Sequence, residues 1–156
     1  MTALVWSANI LGWPIIQLGL ASVFLQLPPE WFETDTWLTA PRAWEHEGRL
    51  YRDCFAIRKW KAFLPDGAQW LGGCKKSLPT RYGVHLTRFL LETRRAELAH
   101  WCMLACLPIF FLWNPSWACG VMTFYGFASN IPCILAQRYN RLILARIAAT
   151  RAMAHL

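Results

Sequence analysis

WCMLACLPIFFLWNPSWACGVMTFYGFASNIPCILAQ, residues 101–137, is a stretch of 37 residues without one Asp, Glu, Lys or Arg. Residues 1–29 form a second uncharged stretch, and every charged side chain lies outside these two. A helix needs about 20 apolar residues to cross the hydrocarbon core of a bilayer. The first stretch of the chain therefore fits one crossing, and residues 101–137 fit two crossings joined by a tight turn. The pattern predicts an all-α integral membrane protein with about three transmembrane helices and a cytoplasmic interfacial segment of short helices.

The composition supports this fold class and argues against others. Of the 156 residues, 56% are hydrophobic and only 16% are charged, whereas soluble domains carry about 25% charged residues. The net charge of +7 suits basic residues beside anionic lipid headgroups, so we expect the lipid bilayer and no nucleic acid as a partner. The six cysteines form no C-x-x-C pair, so neither a disulfide framework nor a metal site is predicted.

Charge and turn-forming residues divide the chain into four segments. We interpret residues 1–29 as the first transmembrane helix and residues 30–97 as a cytoplasmic, interfacial segment. Residues 98–137 are a transmembrane helical hairpin, and residues 138–156 are a basic cytoplasmic tail. A cleaved signal peptide is the alternative for the first segment, although its apolar run is longer than the roughly 7–15 residues of signal peptides and lacks a basic start.

The boundaries within these segments follow from proline and aromatic residues. The first span should run from Thr2 to Leu27, and the following Trp31, Phe32 and Trp37 should form an aromatic belt at the membrane surface. The first hairpin helix should begin near Gly83 and end near Trp113. The second should run from about Trp117 to Gln137.

The basic residues predict the orientation. Twelve Lys and Arg residues lie in 30–97 and four in 138–156, whereas residues 1–29 and the turn around Asn114 have none. Cytoplasmic loops carry the excess of Lys and Arg. We therefore expect a multi-pass protein of the cell membrane with its N-terminus outside and its C-terminus in the cytoplasm.

Polar side chains where the hairpin enters the bilayer are candidates for function. Glu97 and His100 are three residues apart and face the same side of a helix, where a carboxylate can orient an imidazole. A salt-bridged helix end with a histidine at headgroup level is the alternative. If the hairpin folds about Pro115, residues whose numbers add to about 230 lie at equal depth. This places His100 level with Asn130, Glu97 with Cys133, and Glu92 with Arg138.

A further candidate region, apart from the hairpin, is the basic and aromatic run Arg58-Lys59-Trp60-Lys61, which suits contact with phosphate or sugar at headgroup level. An interfacial amphipathic helix is the alternative reading. Asp66 lies in a Pro-Asp-Gly turn and is expected to be structural. The chain has no nucleophile elbow, Walker loop, dinucleotide glycine fingerprint or H-x-x-x-x-D acyltransferase signature.

Three groups of residues give the chain a resemblance to a known family. They are Arg58-Lys59-Trp60-Lys61 with Leu64-Pro65-Asp66-Gly67, Glu92-Thr93-x-Arg95-Ala96-Glu97-Leu98-x-His100-Trp101, and Asn130-x-Pro132 with Gln137-Arg138-Tyr139-Asn140-Arg141. In their order and spacing the chain resembles the glycosyl-4,4'-diaponeurosporenoate acyltransferases of staphyloxanthin-type carotenoid biosynthesis, from about residue 45 to residue 141. The resemblance implies esterification of a sugar hydroxyl of a glycosylated C30 carotenoid with a fatty acyl group.

The residues suit this reaction, and no residue role is carried over from the resemblance. The candidate catalytic residues are His100, as the base, and Glu97, as the group that orients it. The candidate substrate-binding residues are Arg58, Lys59, Trp60, Lys61, Glu92, Arg95, Asn130, Gln137, Arg138, Asn140 and Arg141. Among them, Asn130, Arg138 or Arg141 would hold an oxyanion or a phosphate, and the basic run would dock an anionic donor.

We expect no bound cofactor, and an acyl thioester (acyl-CoA or acyl carrier) as donor substrate. Two alternatives stay open: an acyltransferase for another glycolipid or lipid headgroup, and a non-catalytic membrane scaffold or partner subunit. Small residues on one helix (Gly120, Gly126, Ala128 and Ser129) suit packing within the hairpin or against a second copy. A homo-oligomer or a biosynthetic partner enzyme is therefore a further option.

Overall fold

The computed structural model describes residues 2–64 and 82–154, with only the backbone described for residues 82–85 and 151–154. Every regular element in this part of the chain is helical. Three stretches are long and apolar enough to cross a membrane: Ala3–Gln26, Leu86–Leu112 and Ser116–Thr150. The predicted fold class, an all-helical membrane protein with three spans, is confirmed.

The first long helix, α1 (Ala3–Gln26), matches the predicted first span closely. Many of its large apolar side chains are exposed, as expected for a helix that faces lipid, whereas Asn9 and Trp13 are buried. The helix ends before Pro28, because a residue that precedes proline is disfavoured in the helical conformation. Leu27 is accordingly extended, with ψ at 145°.

Short helical elements follow, as predicted for an interfacial segment. Two are α-helices, α2 (Arg49–Asp53) and α3 (Ile57–Trp60). Three are 3-10 helices, at Pro29–Phe32, Ala43–Gly48 and Lys61–Phe63. The turn residues after Leu64, including Asp66, lie outside the described residues.

The first helix of the hairpin is α4 (Tyr82–Ala105), which begins beside Gly83 as predicted. Its α-helical part ends before the expected Trp113, and a 3-10 helix over Leu107–Leu112 continues the chain to the turn. Pro108 explains the change, because proline lacks the N–H that an α-helix requires and its ring clashes with the preceding turn.

The second helix of the hairpin is α5 (Ser116–Ala154), which does not end at Gln137. At about 1.5 Å per residue, its 39 residues span about 58 Å, nearly twice the thickness of a hydrocarbon core. The basic residues predicted as a separate tail therefore continue the same helix through Ala154. The end of the apolar stretch is therefore not the end of the helix.

α1 runs antiparallel to α4 and parallel to α5. Near its start, Asn9 exchanges two hydrogen bonds of 2.8 Å with Asn114 in the hairpin turn. At its other end, the carbonyl oxygen of Leu27 accepts a hydrogen bond of 3.4 Å from Arg95. The start of α1 and the hairpin turn therefore lie at one end of the three-helix unit, and the charged residues lie at the other.

Close aromatic packing joins α1 to the hairpin. Trp13 is 2% exposed and stacks on Phe110, with ring centroids 4.9 Å apart. Gly126 makes room for this arrangement, because a Cβ atom there would lie 2.7 Å from both the Trp13 ring and Leu107. A Cβ atom at Gly120 would meet nothing within 4 Å.

The interfacial segment packs on α5 through a small apolar core. Its buried members are Tyr51 and Ile57 from the segment and Ala136 and Tyr139 from α5. Trp31 and Trp37 are exposed, as the predicted aromatic belt requires, whereas Phe32 is 3% exposed and cannot belong to it. The 3-10 helix that ends at Phe32 turns the ring inward, where the Arg95 guanidinium lies 5.0 Å from its centroid.

Candidate functional site

The hairpin brings His100 and Asn130 together, as the predicted register about Pro115 requires. The Nδ1 atom of His100 lies 2.9 Å from Oδ1 of Asn130. Asn130 is completely buried, whereas His100 is half-buried. An imidazole is thus held by a neutral amide between two membrane-spanning helices.

A backbone carbonyl fixes which way the Asn130 amide points. Its Nδ2 donates to the carbonyl oxygen of Gly126 at 2.9 Å and to Oγ of Ser129 at 3.1 Å. Because a carbonyl only accepts, the amide nitrogen must face Gly126 and the amide oxygen must face His100. His100 therefore donates from Nδ1, so that the neutral form of its imidazole carries the lone pair on Nε2. The arrangement presents a histidine in one tautomer, able to accept a proton at Nε2.

The Glu97 carboxylate is completely buried and is held by two arginines. Its Oε1 lies 2.7 Å from Nη1 of Arg138, and its Oε2 lies 2.7 Å from Nη2 of Arg141. The Trp101 indole approaches the same carboxylate at 3.5 Å. The sequence placed Glu97 as the group that orients His100, but the described acceptor for the Nδ1–H of His100 is Oδ1 of Asn130. Glu97 instead anchors the two arginines.

Arg138 joins the helices to the interfacial segment. Its Nε lies 2.8 Å from Oε1 of Glu45, so that Glu45, Glu97, Arg138 and Arg141 form one buried ionic network with balanced charge. Further donors bind backbone carbonyl oxygens of the segment: Arg138 binds those of Leu38 and Ala40, and Arg141 binds that of Thr39. Nε and Nη1 of Arg141 are buried without a hydrogen bond among the described residues, and the Nε atom lies 3.8 Å from Oδ1 of Asp35. Both arginines were predicted to hold an oxyanion or a phosphate; protein groups occupy Arg138, whereas Arg141 keeps two donors without a hydrogen bond among the described residues.

Glu45 is the member of the network that the sequence did not indicate. Three consecutive residues after it, His46, Glu47 and Gly48, have positive φ values of 47°, 56° and 89°. Such values are costly for residues other than glycine and need support from the surroundings. The tight reversal returns the chain through α2, so that the Tyr51 hydroxyl donates to the Glu45 carboxylate.

Burial and hydrogen bonds together set the ionisation states of Glu45 and Tyr51. Burial raises the pKa of Glu45, but hydrogen bonds from Arg138, Tyr51 and the Arg42 backbone outweigh it, and the pKa lies below its ordinary value. Burial and the hydrogen bond to Glu45 raise the pKa of Tyr51. Glu45 is therefore held as a carboxylate and Tyr51 as a neutral phenol at physiological pH.

Glu92 and Arg95 pair with each other, with Nη1 of Arg95 lying 2.8 Å from Oε1 of Glu92. Arg95 is 8% exposed and also contacts Phe32 and the end of α1. These contacts make Arg95 an anchor between α1 and α4. Glu92, expected at the depth of Arg138, has Arg95 as its described ion-pair partner.

Within the basic and aromatic run, Lys61 and Trp60 are used for packing. Nζ of Lys61 donates to Oδ1 of Asn140 at 2.7 Å, and the Trp60 indole donates to the carbonyl oxygen of Phe55 at 2.8 Å. Burial, together with the nearby charge of Arg58, lowers the pKa of Lys61.

The other two cations of the run face solvent. Arg58 and Lys59 are exposed on α3, which leaves them accessible to an anionic ligand. The run therefore divides into a packed pair, Trp60 and Lys61, and an accessible pair, Arg58 and Lys59.

Gln137, another candidate binding residue, is half-buried on α5, one residue before Arg138.

Sequence reasoning missed Gln17 as well as Glu45. Nε2 of Gln17, in α1, donates to Oγ of Ser129 at 3.2 Å, which connects the first helix to Asn130. The sequence could have indicated Gln17, because an amide inside an uncharged span is costly unless it has a hydrogen-bond partner. Ser129 was noted only as a small residue suited to packing.

Comparisons with known proteins give one consistent result. The sequence profile of the family described as glycosyl-4,4'-diaponeurosporenoate acyltransferase matches residues 28–150. A protein of that name from Staphylococcus aureus (strain bovine RF122 / ET3-1) is 31% identical over 138 residues, which is 86% of this chain and 82% of the relative. One from Staphylococcus haemolyticus (strain JCSC1435) is 33% identical over 132 residues, 83% of this chain and 76% of the relative. No solved structure matches.

Proposed function

The chain belongs to the glycosyl-4,4'-diaponeurosporenoate acyltransferase family, and on that premise we propose that it esterifies a sugar hydroxyl of a glycosylated C30 carotenoid with a fatty acyl group. The names of the relatives make it an acyltransferase. The observation that supports a site for the reaction is the hydrogen bond of 2.9 Å between His100 and Asn130. It orients an imidazole base where an apolar acceptor can approach from the lipid.

His100 acts as the general base in this proposal. Its Nε2 accepts the proton of the sugar hydroxyl while the sugar oxygen bonds to the carbonyl carbon of an acyl thioester. When the tetrahedral intermediate collapses, the C–S bond breaks and the imidazolium returns the proton to the departing sulfur. Asn130 holds Nδ1–H throughout and stays neutral. Glu97 contributes by anchoring Arg138 and Arg141, and not by touching substrate.

The donor is proposed to be an acyl thioester that carries phosphate groups, such as acyl-coenzyme A. Arg58 and Lys59 are exposed beside the packed Lys61, and cations at headgroup level bind phosphate readily. Replacing both with Gln should raise KM for acyl-coenzyme A and leave kcat nearly unchanged. Replacement of the similarly exposed Arg49 with Gln serves as the control.

The site is proposed to act at the cytoplasmic face of the cell membrane. The basic residues lie at the end of the helical unit opposite the Asn9–Asn114 contact, and positive charge favours the cytoplasmic side. The carotenoid body would then lie in lipid while its sugar meets His100. Reporter fusions at the two chain ends test this orientation, and a cytoplasmic N-terminus would contradict it.

The direct experiment is acyl transfer by the purified, detergent-solubilised protein, supplied with a glycosylated C30 carotenoid and acyl-coenzyme A. The His100→Asn variant should lose at least about 100-fold in kcat, whereas His46→Asn, at an exposed histidine, should retain activity. Full activity of His100→Asn would refute the role of the base. If the wild type acylates a different glycolipid and not the carotenoid, the proposed acceptor is wrong, and activity that appears only with a partner enzyme would indicate an accessory subunit.

A further inference from the structure

Gln17 is the polar residue of α1 that faces the proposed site. It lies in the middle of a span without charged residues, and its Nε2 donates to Oγ of Ser129 at 3.2 Å. Gln26 offers a contrast, because it is exposed at the end of the same helix and its amide donates to a carbonyl of its own helix, that of Ser22, at 3.3 Å. A half-buried contact between two helices inside an uncharged span is a costlier position for an amide than the helix end, and it indicates a specific use.

The Ser129 hydroxyl has its hydrogen-bonding capacity filled. It accepts from Gln17 and from Nδ2 of Asn130, and it donates to the Gly126 carbonyl oxygen at 3.2 Å. A hydroxyl has one donor and two acceptor positions, so all three are used. Ser129 therefore connects other groups here and is not arranged as a nucleophile.

The same contacts fix Asn130. Both N–H bonds of its amide are used, one on the Gly126 carbonyl and one on Ser129. Loss of the Ser129 contact would leave the amide nitrogen with one hydrogen bond, to the Gly126 carbonyl oxygen. The side chain that completes the Ser129 environment comes from α1, and it lies before residue 28, where the family match begins.

We propose that Gln17 is a positioning residue for the acyl transfer, which holds Asn130 through Ser129 and thereby keeps His100 in the Nδ1–H tautomer. The inference rests on the proposed role of His100 as the base. The relay consists of three contacts, Gln17 to Ser129 at 3.2 Å, Ser129 to Asn130 at 3.1 Å, and Asn130 to His100 at 2.9 Å. It joins all three spans of the protein.

The deciding measurement is the ¹⁵N NMR spectrum of histidine-labelled protein in detergent, with the His100 signals assigned by their loss in His100→Asn. The two imidazole nitrogens have different shifts in each tautomer, so the spectrum reports the relay without any substrate. We expect a predominant Nδ1–H tautomer in the wild type and in Gln26→Leu, and a mixture of tautomers in Gln17→Leu. Ser129→Ala should behave like Gln17→Leu, whereas Ser129→Thr, which keeps the hydroxyl, should restore the wild-type spectrum.

Kinetics provide the second readout. Gln17→Leu should lower kcat about three- to tenfold, the range expected for one hydrogen bond between membrane helices, without changing KM for the acyl donor. An unchanged tautomer in Gln17→Leu would overturn the inference even if stability fell. Failure of the wild type to transfer an acyl group would refute the proposed function, while the tautomer measurement would still decide the relay.

Discussion

Replacement of Glu97 with Gln separates a structural role of this residue from a chemical one. The carboxylate is 0% exposed and contacts Arg138 and Arg141 at 2.7 Å each. The substitution keeps the size of the side chain and removes its charge. The two arginines would then face the buried carboxylate of Glu45 and the partly exposed carboxylate of Asp35, whose Oδ1 lies 3.8 Å from Nε of Arg141.

The magnitude follows from the burial of these groups. Removal of one partner from a buried ion pair typically costs about 3–5 kcal/mol, because the other charge is left without compensation. A loss of this size lowers the unfolding temperature of a chain of about 150 residues by roughly 6–20 °C. Because the two arginines also hold the carbonyls of residues 38–40, the interfacial segment should detach first. Protease cleavage in this segment should accelerate in the variant.

Thermal unfolding in detergent measures the effect, with Glu30→Gln at an exposed position as the control. The double variant Glu97→Gln/Arg141→Gln should recover part of the loss, since the charges balance again and the sites are coupled. At a temperature where Glu97→Gln remains folded, its kcat should stay within about tenfold of the wild type. Wild-type stability combined with loss of kcat would refute the structural role and return Glu97 to the chemistry.

Three further outcomes are expected. Gly126→Ala should destabilise the protein by roughly 1–3 kcal/mol through overpacking. Gly120→Ala, in open space, should instead stabilise it by up to about 1 kcal/mol. Thermal unfolding compares the two variants, and equal shifts in unfolding temperature would contradict the packing described at Gly126. The pKa of Glu45 lies below its ordinary value of 4.5, so its contribution to stability is present above that value and is lost as pH falls through the lowered pKa. The unfolding temperature should therefore fall in acid, and less so in Glu45→Gln; the same acid dependence in both proteins would refute this. Asn9→Leu removes the donor to Oδ1 of Asn114, whose Nδ2 keeps its hydrogen bond to the Phe110 carbonyl oxygen. A double-mutant cycle with Asn114→Leu should give a coupling energy of about 0.6–1.7 kcal/mol, measured by denaturation of the single and double variants; additive losses would argue against the reciprocal pair.

Hairpin register explains both what the sequence could predict about the site and where it failed. The expectation that residues equally far from Pro115 lie at equal depth correctly placed His100 opposite Asn130, because neither side chain reaches far along the helix axis. The same rule set Arg138 opposite Glu92, yet Arg138 binds Glu97. Side chains on a helix lean toward its N-terminus. In an antiparallel pair Arg138 therefore leans into the membrane and Glu97 leans out of it, and the two meet between their backbone levels.

Glu45 could not be predicted, because its position depends on an irregular backbone. The stretch Trp44-Glu45-His46-Glu47 has no helical or strand periodicity, and two of its residues adopt positive φ. A sequence pattern describes regular elements and predicts which face of them is buried. It does not predict a reversal that directs one carboxylate into a buried network while its neighbour Glu47 stays exposed.

The polar side chains of the hairpin are charged near its charged end and paired with a neutral amide further into the apolar stretch, and this order suits the proposed chemistry. Toward the charged end, Glu97 and Arg138 compensate each other, so full charges are tolerated in a buried position. One turn further into the apolar stretch, His100 is paired with the amide of Asn130, which brings no charge. An aspartate at residue 130 would stabilise the imidazolium through its charge, but it would bury a further carboxylate in the apolar stretch. An asparagine fixes the tautomer through the same geometry and lets the imidazole take up a proton from the acceptor and return it to the leaving group.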